Sequence, residues 1–485
     1  MTKYKDLNLN YIAGTWRKGK SKSTIDNKNP YTQETIFTIA AANKDDVDEA
    51  YEASAKAQKE WAQTTPSQKR NVFDKAVAIM LERKDEIKEW IIKESGGTDV
   101  KAETEWMIAM ESLRFSSGYP YEINGKIFPS IVPGKESRMY RKPLGVITVI
   151  SPWNFALNLS MRSVAPALAT GNGVVLKPAG FTPATGATLL AKIFEEAGLP
   201  KGLFNVILGK GSEIGDYIVE HPTSKLVSFT GSTPVGRGIA QKAGGQFKKL
   251  SLELGGNNAF IVLDDADVDL AVEAAVFGKF MHQGQICMGI NRILIDDKVY
   301  DEFTEKFIAK VKSLKVGDPS KEGISVGPVI DESQTKGIVE MIDKAIENGA
   351  KLETERKVEG NIIHPVVFTN VTNDMDIAQH EIFGPVALLI KFNGDEEAIK
   401  FANDTDLGLS GAVHSANTER ALYVAQHVET GMMHINDQPV NDDANAVFGG
   451  EKNSGVGRFN GEFVKEEFTT AQWITVQHKE RDYAF

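Results

Sequence analysis

The stretch Gly145-Val146-Ile147-Thr148-Val149-Ile150-Ser151-Pro152-Trp153-Asn154-Phe155 marks a change of rhythm in the chain. Val146–Ile150 is an unbroken β-branched, largely apolar run, the pattern of a strand buried on both faces. A helical stretch around Leu159–Thr170 follows it, then a short strand at Val174–Leu176. Working outward, the alternation continues with a helix at Thr182–Ala197, a strand at Phe204–Leu208 and a helix near Ser212–Val219. A strand at Lys225–Phe229, a helix at Thr233–Ala243 and a strand at Leu250–Leu254 complete the series. Strand–helix alternation at this spacing predicts an α/β fold with a doubly wound, mostly parallel sheet. Such sheets take ligands outside the carboxyl ends of their strands.

A second α/β region begins at about Glu253. Its predicted strands are Ala259–Leu263, Arg292–Ile295, Gly384–Phe392 and Met432–Ile435; its predicted helices are Ala266–Phe280, Asp301–Ser313 and Ser333–Asn348. Upstream, Asn10–Gly14 and Gln33–Ala41 read as short strands separated by the polar stretch Lys18–Tyr31. Two amphipathic helices should follow, one within Asp45–Gln63. The other is capped by Ser67, carries the stripe Val72, Phe73, Ala76 and Met80, and stops at Ser95-Gly96-Gly97. Tyr121–Pro143 and Thr469–Lys479 are strand-like, fit neither region, and could pair as an interaction arm.

At 485 residues the chain is long enough for roughly three domains. Its 41% hydrophobic and 25% charged residues are ordinary globular usage, which excludes disorder and small disulfide scaffolds. The net charge of −11 offers no bulk attraction to nucleic acid or anionic membranes, so neither is expected as a partner. No apolar run is long enough for a membrane span and no signal-peptide core follows the amino terminus, so a cytoplasmic location is expected. A single cysteine and eight scattered histidines give no metal-ligand cluster, and no metal is expected.

Gly14-Thr15-Trp16-Arg17-Lys18-Gly19-Lys20-Ser21 satisfies the P-loop pattern, but a P-loop must lead directly into a helix. The polar, proline-ended Lys22–Pro30 that follows predicts a hairpin turn instead. Three other features point to chemistry. Cys287 lies in Gly284-Gln285-Ile286-Cys287-Met288-Gly289, whose small and polar residues suggest an accessible turn; the alternative is a buried, inert cysteine. An unperturbed thiol is only a few per cent thiolate at neutral pH, so a nucleophile here needs help. His282 and Glu253 are the candidate helpers, the latter a carboxylate flanked by leucines and followed by Gly255-Gly256. Finally, Phe229-Thr230-Gly231-Ser232-Thr233-Pro234-Val235-Gly236 runs off a strand into a helix that Ser232 or Thr233 could cap, a geometry suited to pyrophosphate.

Taken in order, seven stretches resemble the aldehyde dehydrogenase superfamily over nearly the whole chain. They are Pro152-Trp153-Asn154-Phe155, Gly171–Pro178, Phe229-Thr230-Gly231-Ser232, Leu252–Gly256, Gly284-Gln285-Ile286-Cys287, Glu381-Ile382-Phe383-Gly384-Pro385 and Phe448-Gly449-Gly450. The region His434–Gly461, together with Gly284-Gln285-Ile286-Cys287, is most similar to the benzaldehyde/vanillin (aromatic aldehyde) branch. The resemblance implies a Rossmann-like cofactor domain (1–120 and 142–252), an α/β catalytic domain (253–444), and a small β oligomerisation arm (121–141 and 466–485). Residues 445–465 would return to the cofactor domain, and the assembly would be a homodimer or homotetramer.

The same resemblance implies NAD(P)-dependent oxidation of an aldehyde to the acid through a cysteine thiohemiacetal and thioester. Cys287 would be the nucleophile, Glu253 the general base and Asn154 the oxyanion amide. Lys177 and Glu381 would hold ribose hydroxyls, Ser232 the pyrophosphate and Phe383 the nicotinamide side. Ile150, Ser151, Pro152, Trp153, Gly211, Phe229, Thr230, Gly231, Val235, Gly236 and Leu254 would complete the cofactor site. Phe155, Asn158, Leu159, Arg162, Met281, Ile286, Met288 and Phe448 would surround the aldehyde. One departure stands out: where many NAD-preferring members carry a ribose-binding glutamate, this chain has Gly180, which implies use of both NAD and NADP. Semialdehyde or aliphatic substrates, a coenzyme A-acylating reaction and a non-enzymatic binding role remain the alternatives.

Overall fold

The computed structural model describes residues 3–485. Val146–Ile150 lies inside an eight-stranded sheet whose spatial order is Thr15–Arg17, Asn10–Ile12, Phe204–Val206, Gly173–Lys177, Val146–Ile150, Ser224–Thr230, Lys249–Glu253 and Gly455–Val456. The five strands from Phe204–Val206 to Lys249–Glu253 are parallel; the amino-terminal hairpin and Gly455–Val456 close the two edges antiparallel. From Val146–Ile150 the chain winds toward one edge through Gly173–Lys177 and Phe204–Val206. It then jumps back across the starting strand to Ser224–Thr230 and winds toward the other. The switch point therefore falls between the carboxyl ends of Val146–Ile150 and Ser224–Thr230, where ligands of doubly wound sheets bind.

A second sheet runs Lys351–Leu352, Val366–Thr369, Val386–Phe392, Ile290–Asp296, Asn258–Val262, Gly411–His414 and His434–Ile435, parallel except for its first edge strand. The strands Thr469–Gln477, Lys135–Pro143 and Lys126–Pro129 form a separate antiparallel arm, in register from Thr469 opposite Pro143 to Gln477 opposite Lys135. Trp473 and Ile127 on this arm are each 72% exposed.

Helix Ala156–Ala169 is buried along its whole length, so its first backbone N–H groups cannot rely on water. Its N-cap residue Phe155 offers no side-chain acceptor. The buried carboxylate of Glu105 reaches in from another helix and accepts from Leu157 N at 2.8 Å, while its second oxygen is paired with buried Lys101. Glu94 does the same for the turn at Ala184–Thr188, accepting from Ala184 N at 3.0 Å and from Thr185 N and Oγ1 at 2.8 Å. Burial pushes Glu94 up to about 7, against the pull of those hydrogen bonds.

Several elements differ from the sequence reading. The helix expected from Ser67 to Ser95 is two, Pro66–Glu82 and Lys84–Ser95, broken at Arg83. The first is capped by Thr65, not Ser67: Thr65 and Gln68 form a reciprocal capping box, and Pro66 sits where its missing N–H costs nothing. Helix Asp99–Ser116 escaped notice because Lys101, Glu105 and Ser112 interrupt its buried face. Within the polar stretch Lys18–Tyr31, Thr24–Lys28 is a strand paired with Thr35–Ala40; it is mostly exposed and shows no apolar alternation. Strands Val366–Thr369 and Gly411–His414 also went unpredicted. Thr182–Ala197 begins with a wide turn at Ala184–Thr188 before becoming regular at Leu189–Glu196. The Gly14–Ser21 stretch is indeed a hairpin: Asn10–Ile12 pairs with Thr15–Arg17 across Ala13-Gly14.

Removing the far-reaching cap should be costly. Glu105→Ala leaves Lys101 as a buried unpaired charge and Leu157 N without its acceptor, a loss of about 3–5 kcal/mol. A fall in the urea midpoint checks this, and pairing the change with Lys101→Met should recover part of it.

Candidate active site

The switch point gathers the site. Ser151-Pro152-Trp153-Asn154 leaves the end of Val146–Ile150, and Thr230-Gly231-Ser232 leaves the end of Ser224–Thr230. Pro152, Trp153, Asn154, Thr230, Gly231, Ser232, Leu254, Glu381, Phe383 and Cys287 line one cavity of 240 Å³. Gly255 and Gln334 line it too. Gln334 lies in the first turn of helix Glu332–Glu347, where nothing in its sequence context sets it apart.

The loop carrying Cys287 is anchored from three sides. Asn258 Nδ2 donates to the carbonyls of Cys287 at 2.7 Å and Gly289 at 2.8 Å, and Asn258 Oδ1 accepts from Ser410 N at 3.0 Å. Gln285 Oε1 accepts from Ile330 N at 2.9 Å, and Asn154 Nδ2 donates to Gln285 O at 3.0 Å. An amide carries two N–H donors, so one of Asn154's stays available. His282 and Gln283 are held at positive φ, 47° and 58°. The His282 ring packs edge-on against Phe155 and Trp153, and burial beside Lys101 keeps it neutral.

Gly255 and Gly256 allow the two halves to meet. A Cβ on Gly255 would stand 2.4 Å from Glu381 Oε2, and one on Gly256 would stand 2.4 Å from Cys287 O. Gly256 N donates to Glu381 Oε1 at 3.3 Å. Phe383, two residues on, adopts φ 50° and meets Trp153 edge-on at 5.5 Å. Such strain in a non-glycine residue is kept only where the surroundings enforce it.

Charges in the site are displaced from their usual behaviour. Burial pushes the Cys287 thiol up to about 12, helped by the negative charges of Glu381 and Glu253 and opposed by Arg162. Glu253 is 1% exposed at the end of strand Lys249–Glu253, and neither of its carboxylate oxygens has a hydrogen-bond partner. Burial raises it to about 7 despite Arg162 and Arg458. Burial likewise raises Glu381 to about 7 and lowers Lys177 to about 8. Lys177 ends strand Gly173–Lys177, and its ammonium donates to Pro178 O at 3.1 Å.

The remaining expected cofactor residues do not line this cavity. Ile150 and Phe229 pack with Leu254 in one apolar cluster, and buried Ser151 Oγ has no partner. Gly236 allows helix Thr233–Gly244 to approach the strands, since its Cβ would stand 2.3 Å from Leu254 Cδ2. Val235 is exposed on the same helix, and Gly211 opens the turn Gly211–Gly215. Ser232 occupies the N-cap position, yet its side chain makes no cap hydrogen bond; Thr233 Oγ1 accepts from Gly255 N at 3.3 Å instead.

On the other side, Phe155, Leu159, Met281, Ile286, Met288 and Phe448 belong to one buried apolar cluster against which half-buried Cys287 packs. Asn158 and Arg162 are buried beside it. Both face Asp442, a residue the sequence reading missed because Asn441-Asp442-Asp443 looks like any polar loop.

Residues 16–474 match the model of the Aldehyde dehydrogenase family. A benzaldehyde dehydrogenase, YfmT, of Bacillus subtilis is 50% identical over 485 residues, covering 100% of both chains. A vanillin dehydrogenase of Corynebacterium glutamicum is 50% identical over 474 residues, covering 97% of this chain and 98% of its own. The crystal structure of a NAD-dependent benzaldehyde dehydrogenase from Corynebacterium glutamicum superposes with a TM-score of 0.90 at 47% identity, covering 97% of this chain and 98% of that one. The chain belongs to the aldehyde dehydrogenase family, and it is an oxidoreductase acting on aldehydes.

The glycine pair carries a prediction. Gly256→Ala pushes the Cys287 carbonyl off Asn258 and misplaces the thiol, which should lower kcat/KM by about 100-fold. Steady-state kinetics checks this, with thermal melting to show the fold intact.

Proposed function

We propose that the protein oxidises an aromatic aldehyde to its carboxylic acid with NAD or NADP, Cys287 acting as nucleophile. The observation that carries this reading is Glu253, a buried carboxylate with two unpartnered oxygens whose charge is felt at the Cys287 thiol. A group so placed is poised as a general base near neutral pH. Its presence favours hydrolysis of a thioester by water over transfer to coenzyme A.

In the first half-reaction Glu253 takes the thiol proton, and the sulfur adds to the aldehyde carbon. The oxyanion formed is held by the free N–H of Asn154 Nδ2 and the backbone N–H of Cys287. When bound, NAD or NADP would supply the hydride acceptor needed to take this adduct to the thioester. After passing the first proton to solvent, Glu253 takes a proton from water in the second half-reaction and the hydroxide adds to the thioester carbon; the adduct collapses to release the acid and the Cys287 thiolate, which takes the proton back from Glu253.

The residues fit a dinucleotide. Gly231 and Gly255 leave the cavity wall open where a Cβ would crowd Phe229 and Glu381. The uncommitted Ser232 hydroxyl at the helix N-terminus suits a pyrophosphate. Lys177 and Glu381 would hold ribose hydroxyls, with Phe383 and Trp153 bordering the nicotinamide side; Ile150, Ser151, Pro152, Gly211, Phe229, Thr230, Val235, Gly236 and Leu254 complete the site. Gly180 is exposed beyond Lys177 and offers no carboxylate to repel a 2′-phosphate. The apolar cluster around Cys287 suits an aromatic ring, as do the relatives named for benzaldehyde and vanillin.

The cofactor domain is read as 1–120 with 142–252, the catalytic domain as 253–444, and the arm as 121–141 with 466–485; Gly455–Val456 carries 445–465 back to the first sheet. The exposed apolar face of the arm would join copies into a homodimer or homotetramer. No described helix is long and apolar enough to cross a membrane, and we place the enzyme in the cytoplasm.

Stopped-flow absorbance of reduced nicotinamide with benzaldehyde tests the mechanism. Because Glu253 works deprotonated and its pKa is raised to about 7, kcat should climb as pH rises through about 7. Glu253→Gln should lose that limb, slow the burst and drop turnover by about 10²–10⁴-fold; Cys287→Ala should give no burst. A burst surviving in Cys287→Ala would refute the covalent route. For the cofactor, wild type should turn over both dinucleotides. Gly180→Glu should cut kcat/KM for NADP by about tenfold or more through like-charge repulsion, with NAD as the internal control.

A further inference from the structure

Asn158 and Arg162 lie four residues apart on the first two turns of helix Ala156–Ala169, so both project from one face. Asp442 sits against them with its side chain 3% exposed. Its Oδ2 accepts from Asn158 Nδ2 at 2.9 Å and lies 3.6 Å from Arg162 Nη1, while Oδ1 accepts from Asn460 Nδ2 at 2.8 Å. The Arg162 guanidinium lies over the rings of Phe448, at 4.0 Å, and Phe459, at 4.8 Å. Despite this enclosure the cluster keeps open valences: Asn158 Oδ1 has no donor, and Arg162 Nε and Nη1 have no hydrogen-bond acceptor. Both residues are 2% exposed. Leaving such groups unmatched in a buried site is costly unless a ligand matches them.

Resting on the aromatic-aldehyde reading, we propose that this cluster recognises a ring hydroxyl, and that Asp442 is the positioning residue that sets the preference for hydroxybenzaldehydes over other aldehydes. The hydroxyl donates to Asn158 Oδ1 and accepts from Arg162, one acceptor and one donor side by side. The aldehyde end points the other way, toward Asn154 just before the helix and the Cys287 loop that Asn154 holds. Asp442 acts through both partners. By taking the Asn158 NH₂ group it turns the amide oxygen toward the ligand. By standing 3.6 Å from Arg162 it balances the guanidinium charge, so that the site favours a neutral polar group over a carboxylate. An apolar pocket discriminates only weakly against an added or missing hydroxyl, whereas a site with a matched donor and acceptor discriminates strongly. Asp442 itself touches no reacting atom.

The test compares kcat/KM for 3- and 4-hydroxybenzaldehyde with their methyl isosteres and with 4-formylbenzoate, in wild type, Asp442→Asn and Asn158→Leu. Wild type should prefer at least one hydroxyl compound over its methyl isostere by roughly tenfold or more. Asn158→Leu should erase that preference, mainly through KM, without admitting the carboxylate. Asp442→Asn should reduce the preference and raise kcat/KM for 4-formylbenzoate about fivefold or more as Arg162 loses its counter-charge, a gain that a merely structural role would not produce. Equal turnover of hydroxyl and methyl compounds by wild type, or ratios unmoved in both variants, would overturn the proposal and leave the aromatic reading standing. No turnover of any benzaldehyde beside good turnover of aliphatic aldehydes would overturn both.

Discussion

The Asn258 amide is the joint on which the site depends. It is the first residue of the first strand of the second sheet, and its one NH₂ group holds the carbonyls of both Cys287 and Gly289. Because Gly256, two residues before it, has no Cβ, the Cys287 backbone can lie directly against the crossover between the two sheets. The nucleophile is thus fixed to the same few residues that follow Glu253. The spacing of Cys287 and Glu253 is then a property of rigid backbone rather than of a mobile loop, which is the condition for preorganised catalysis in the mechanism proposed.

Around that joint, charge is arranged in layers. Burial raises both Glu253 and Glu381 toward neutrality, and both carboxylates disfavour the Cys287 thiolate while they are charged. The opposing positive charge comes from Arg162, which in turn is balanced by Asp442. A resting thiol held up in this way is a poor nucleophile and a poor target for adventitious oxidation. It becomes reactive when a base removes its proton and an oxyanion hole rewards the addition. Structural carboxylates use the same physics elsewhere: Glu94 and Glu105 stand in for N-cap side chains at buried helix starts, where only a far-reaching acceptor can satisfy the backbone.

Much of the cofactor half is legible in the sequence. A β-branched run such as Val146–Ile150 buried on both faces can only be a central strand, and the turns after it and after Ser224–Thr230, the second carrying Gly231, fall at the switch point by topology. Cys287 and Glu253 stand out as residue types out of keeping with their neighbourhoods, whereas Asn154, Glu381 and Phe383 are marked only by the family resemblance. The cap of the second helix was misread by two residues because Ser67 looks like a cap, whereas Thr65-Pro66 with Gln68 forms the actual one. Helix Asp99–Ser116 is hard to read in the sequence because the Lys101–Glu105 ion pair and Ser112 interrupt its apolar buried face.

What the sequence by itself determined was therefore the periodic and the chemically singular: strand and helix alternation, the two-sheet plan, the lone thiol and the carboxylate between leucines. Those follow from local pattern, since burial on both faces and tight turns leave their mark on adjacent residues. Only the tertiary structure decided which distant groups meet. Asp442 reaches Asn158 and Arg162 across 284 and 280 positions of chain, Asn258 reaches Cys287 across 29, and Gln334 enters the cavity from a helix with no motif. A polar residue in a loop carries no sign of whether it will face water or a buried partner. That choice is made by the packing of elements remote in sequence, which bring a single carboxylate, an amide and a guanidinium together inside an apolar cluster.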